Sequence, residues 1–168
     1  MRSGSGRTGS SVWRDIGVSW LALKPWVKAW LFFLNAVFLA ALAFLPHPAA
    51  IWTLVAYGAA ALLLAAIAYR QRGLSRLAGL GHILPWTPLT VYLGLWLTTD
   101  LLGPRVAAEL EPARFGYLLV LLASVGLCLA FDVYDLVRWL RGERYIMGSE
   151  EAVRAGASSA AQRLTFGN

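Results

Sequence analysis

AAIWTLVAYGAAALLLAAIAY, residues 49–69, carries no charged side chain over its whole length. A helix of about 20 apolar residues spans the roughly 30 Å hydrocarbon core of a bilayer. Working outward, three more apolar runs lie at 26–45, 83–102 and 115–131. The chain has 168 residues, 58% hydrophobic and 14% charged, which is far more apolar than a soluble domain. This pattern predicts an all-α membrane protein with four transmembrane helices. The runs leave a short arm, three loops and a C-terminal segment, too little for a separate soluble domain.

The segments between the runs carry positive charge unequally. Arg2, Arg7, Arg14, Lys24 and Lys28 precede or open the first run. Arg70, Arg72 and Arg76 separate the second from the third, and Arg138, Arg141, Arg144, Arg154 and Arg163 follow the fourth. Only Arg105 and Arg114 fall in the remaining long loop, beside Asp100, Glu109 and Glu111. The positive-inside rule then predicts a multi-pass inner-membrane protein with both termini cytoplasmic. Attraction to the anionic lipid bilayer accounts for the net charge of +6, and no nucleic-acid partner is expected. The first run is longer than the apolar core of a secretory signal, and a long arm precedes it, so it reads as a retained span.

Residues 1–11 have the Gly/Ser/Arg composition of a flexible arm. Over 12–24, Val12, Trp13, Ile16, Trp20 and Leu23 recur at helical spacing, while Arg14, Asp15 and Ser19 fall elsewhere on the wheel. This predicts an interfacial amphipathic helix with Ser11 as N-cap and Pro25 redirecting the chain. The transmembrane domain then covers 25–147. Pro46-His47-Pro48 permits only a tight turn between the first two spans. Ala56/Ala60 and Ala61/Ala65 have the small-xxx-small spacing that lets helices approach, marking span two as the packing helix. Pro85 and Pro88 suit the opening of span three. VAAELE (106–111) predicts a short surface helix in the outer loop. Beyond 131, Asp132, Asp135, Arg138 and Arg141 continue the helical step to about 141, with Gly142 as the stop. Residues 148–168 read as a mobile cytoplasmic tail.

Asn35 is the strongly polar residue near the middle of a span, and in lipid its amide must find partners. We read it as an inter-helix or inter-subunit hydrogen bond, with a pore contact as the alternative. Asp132 and Asp135 fall at the cytoplasmic interface and are expected to pair with Lys28, Arg70 or Arg138. In a symmetric oligomer the same acids would form a ring that attracts cations. His47 and His82 belong to opposite sides, and neither has a Cys or Glu at metal-ligand spacing in sequence. No metal, haem or other cofactor is therefore expected, and His82 is assigned to bonding its own loop. Cys128, the lone cysteine, is expected to pack as a small apolar residue. The chain has no G-x-S-x-G, H-E-x-x-H or phosphate-cradling loop, so no enzymatic activity is expected.

RLAGLGHILPWTPL (76–89) and FDVYDLVRWLRGER (131–144) resemble segments of a group of small four-span bacterial inner-membrane proteins of unassigned activity. The resemblance covers spans two to four. It implies a cytoplasmic-side cluster of Gly79, Gly81, His82, Asp132, Asp135 and Arg138. The expected function is assembly, as a homo-oligomer or as a small accessory subunit of a larger membrane complex. An oligomeric ion channel or small-solute transporter is the alternative, with Asn35, Asp132 and Asp135 on its path.

Overall fold

The computed structural model describes residues 11–158, and among these the regular structure is helical. The chain runs through α1 (Val12–Leu21), α2 (Pro25–Leu39), α3 (Pro48–Gln71), α4 (Leu80–Thr98), α5 (Pro112–Leu140) and α6 (Glu150–Arg154). Two 3-10 segments join them: Ala40–Phe44 extends α2, and Arg76–Gly79 leads into α4. Residues 1–10 of the arm and 159–168 of the tail lie outside the described residues.

Three helices are long and apolar enough to cross a membrane: Pro25–Phe44, Pro48–Gln71 and Pro112–Leu140. Only 22%, 22% and 28% of their apolar windows are buried, so most of that surface faces outward. Phe32 at 68% exposure and Leu62 at 75% would be a large aggregation-prone surface in water but are at home among acyl chains. The helix at 80–98 is the exception. His82, the two prolines and three threonines dilute its apolarity, and it lies packed between α3 and α5 instead. Its Trp86, Leu89, Leu93 and Trp96 join Leu34, Phe38, Ala56, Ala60, Leu121 and Val125 in one core.

α4 begins at Leu80, before the expected 83, so Pro85 and Pro88 lie inside it rather than at its opening. The start is earlier because Ser75 accepts a hydrogen bond from Leu77 N–H (3.2 Å) and sets up the preceding 3-10 turn. Ser11 does occupy the N-cap position of α1, but its carbonyl makes the bonds, to Arg14 and Asp15 N–H, and its side chain makes none. VAAELE is not a helix. Val106 is buried, and its N–H is held by the Trp96 carbonyl at 3.0 Å, which pulls the segment onto the core as successive turns.

Both ends of the described chain meet. The Ser19 hydroxyl donates to the Met147 carbonyl (2.9 Å), Met147 N–H donates to the Leu74 carbonyl (2.7 Å), and Arg72 pairs with Asp15 at 3.0 Å. Residues 143–158 thus form a strap across the arginine-rich end of the bundle. As far as 158 the expected loose tail is folded: Ser149 caps α6, Ala152 is fully buried, and Gly148 N–H donates to Ser158 (2.8 Å).

Candidate functional site: a lined cavity at the arginine-rich end

Two close approaches shape this end of the bundle. A Cβ on Gly81 would lie 3.0 Å from the Leu64 backbone nitrogen and 3.2 Å from its Cα. One on Gly79 would lie 3.0 Å from Asp132. The absent side chains let the turn before α4 sit directly on α3 and α5, which carries His82 to the acidic end of α5.

The residues singled out at 82, 132, 135 and 138 do come together, with partners other than those expected. Asp135 pairs with Arg76, not with Lys28, Arg70 or Arg138. Arg76 is only 9% exposed, and it also donates to the Tyr145 hydroxyl (2.9 Å) and pairs with Glu143 at 3.2 Å. Arg138 pairs with Glu143 at 2.7 Å, and Tyr145 donates to Glu143 at 3.1 Å. The strap therefore supplies an acid and a phenol that finish a network begun by the turn and by α5. Desolvation pulls the Arg76 pKa down, but the Tyr145 hydrogen bond and the Asp135 charge outweigh it, and the net shift is upward. The bond from Arg138 holds the Glu143 carboxyl below its ordinary range.

Asp132 faces a different set. Its Oδ2 lies 3.2 Å from His82 Nδ1 and 3.5 Å from Cys128 Sγ. The imidazole stacks on Trp86, with ring centroids 4.3 Å apart and planes within 10°. His82 thus bonds α5 and not its own loop.

A cavity of about 520 Å³ opens against both groups. Its walls are Trp20, Leu23, Trp26, Val27, Trp30, Leu31, Leu64 and Phe131. Lys24, Arg76, His82, Cys128, Asp132, Asp135 and Arg138 supply its polar lining, and Met147 with residues 155–157 of the strap completes it. This size and an apolar lining with a few convergent polar groups are typical of small-molecule sites.

Asn35 lies apart from this cavity, exposed on α2, where it donates to the Leu31 carbonyl (2.7 Å) and accepts from Tyr57 on α3. Ala56 and Ala60 are buried toward the bundle, whereas Ala61 and Ala65 face outward. Reasoning from sequence missed Arg76, Tyr145 and Glu143, whose partners are 59 to 69 residues away or on the strap. It also missed the tryptophan-lined wall. A signal for Cys128 and Asp132 was present, since a separation of four puts both on one helical face. At the opposite end, His47 Nδ1 accepts from Ala49 N–H to cap α3 (3.2 Å). Burial first, and the Arg114 charge second, lower its pKa and keep the ring neutral for that role.

No protein-family model, no curated protein and no solved structure matches the chain.

Proposed function

We propose that this chain is a non-enzymatic inner-membrane protein that holds one single-chain amphiphile in the cavity at its cytoplasmic end. The observation that carries this reading is the 520 Å³ space with an apolar tryptophan-rich wall and a charged end. An acyl chain fits the wall formed by Trp20, Trp26, Trp30 and Leu31. A small anionic headgroup suits Lys24, since Arg76 and Arg138 are already paired with Asp135 and Glu143. Lys24 has no ion-pair partner among the described residues, and it is the cation left to meet such a headgroup.

Assembly with further copies is the second reading, favoured by a separate observation. Ala61 and Ala65 present small side chains outward, one and two turns along α3 from Tyr57, which bonds the exposed Asn35. Small residues permit close helix approach in lipid, and the Asn35 amide, bonded within the chain to Leu31 and Tyr57, has a second N–H to offer a neighbouring copy.

Native mass spectrometry of the full chain, released from nanodiscs, tests both. The expected spectrum has an oligomer carrying one amphiphile per chain, and Leu31→Trp, which fills the cavity, reduces the amphiphile-bound fraction at least fivefold. Bare protein, or occupancy unchanged in Leu31→Trp, would sink the binding reading. A monomer at every protein concentration would sink assembly.

A further inference from the structure

We propose that His82, Cys128 and Asp132 form a three-ligand site for a borderline divalent cation of the Zn²⁺ class, with a fourth position open to the cavity. Their ligand atoms all lie within 4.8 Å of one another. Tetrahedral zinc has Zn–N and Zn–O lengths near 2.0–2.1 Å and Zn–S near 2.3 Å, which place neighbouring ligand atoms roughly 3.3 Å apart for N···O and 3.6 Å for S···O. The observed separations are 3.2 Å and 3.5 Å. The two edges that meet at Asp132 therefore have tetrahedral spacing before any ion enters, and the third, between His82 and Cys128, lies within the 4.8 Å that bounds the set.

The chemistry of the donors selects the metal. A thiolate, an imidazole and a carboxylate suit Zn²⁺, Co²⁺ or Fe²⁺, whereas Mg²⁺ and Ca²⁺ require oxygen ligands. Two ligands come from one face of α5, and the third is fixed by stacking on Trp86. All three line the cavity, so the remaining corner opens into it, as in sites that keep a position for water or a bound molecule. Binding transfers the thiol proton to solvent and leaves Zn²⁺ with one thiolate, one carboxylate and one neutral imidazole. No electron moves, and the ligand charges balance the ion. Without an ion the same atoms form a relay of thiol, carboxylate and imidazole. The site does not depend on the amphiphile, and its failure would leave the binding reading untouched.

Co²⁺ is the probe, added to the reduced full-length protein in detergent. One equivalent is expected to bind per chain, giving a thiolate-to-metal charge-transfer band in the near ultraviolet and the visible bands of four-coordinate cobalt. Zn²⁺ should bleach both. Cys128→Ser should abolish the charge-transfer band, and His82→Gln should weaken binding on the order of tenfold or more. Glu109→Gln, in the loop at the opposite end of the bundle, should retain the full spectrum. A second measurement keeps the test decisive if a ligand variant does not fold: in the wild-type protein, saturating Zn²⁺ should slow alkylation of Cys128 by a maleimide at least tenfold. Reduced wild-type protein with no charge-transfer band at saturating Co²⁺ overturns the proposal. So does a Cys128→Ser variant that binds cobalt as the wild type does.

Discussion

At the scale of single residues, the bundle is most sensitive where a side chain is missing. Gly81 faces the Leu64 backbone, which cannot rotate out of the way of an added methyl group. Gly81→Ala must push α4 from α3, and overpacking of this kind costs about 1–3 kcal/mol. Gly58 makes the contrast, because nothing lies within 4 Å of a Cβ built there. Replacing that mid-helix glycine by alanine gains up to about 1 kcal/mol of helix propensity. Thermal unfolding in detergent should therefore drop for Gly81→Ala and hold or rise for Gly58→Ala. Equal behaviour of the two variants would show that α4 is not seated on Leu64 as described. Gly79 and Gly81 stood out in the sequence as a motif, but their reason was not legible there. It lies in the close approach of this turn to Leu64 on α3 and to Asp132 on α5, and no periodicity encodes that.

At the scale of elements, the strap changes the character of the charged cluster. Arg76 and Arg138 do not neutralise α5 alone; they converge on Glu143, which follows the helix stop at Gly142. The pH dependence follows from the lowered Glu143 pKa. A depressed carboxyl stabilises the folded strap above its unfolded pKa, and that contribution is lost as pH falls through the folded value. Arg138, Tyr145 and Arg76 are the groups that face it, and both arginines stay charged throughout this range. Acidification below the ordinary glutamate range should lower the amide protection factors of 145–153, taken against the intrinsic exchange rate at each pH, and Glu143→Gln should show low protection already at neutral pH. A strap whose exchange ignores both changes would not be held by Glu143. The long helices were legible because apolar length and the 3.6-residue period act locally. α1 and the overrun of α5 past 131 were legible for the same reason. The strap was not, because its order rests on Ser19, Leu74 and Arg76, and its own small polar residues carry no apolar stripe.

At the scale of the whole molecule, the decisive question is how often the chain crosses the membrane. Three helices qualify by length and apolarity. The Ser19–Met147 bond, however, joins the two ends of the described chain at one end of the bundle, and three crossings would leave them on opposite sides. We propose α4 as a fourth crossing, which would make the number even and place both ends on one side. At 19 residues it is about 28 Å long at 1.5 Å per residue, close to the hydrocarbon thickness. Its polar groups find partners: Thr90 donates to the Trp86 carbonyl within α4 itself (2.8 Å), and His82 meets Asp132 on α5. The uneven arginine distribution supports the same topology independently. Single cysteines at Arg70 and Glu109, which flank α4, test it in a Cys128→Ser background. A membrane-impermeant maleimide applied to spheroplasts should label Glu109→Cys and should label Arg70→Cys only after lysis. A third site, Glu150→Cys on the strap, should behave like Arg70→Cys. Labelling of both flanking positions from the same side would remove α4 from the membrane-crossing set, and the even count would fail with it.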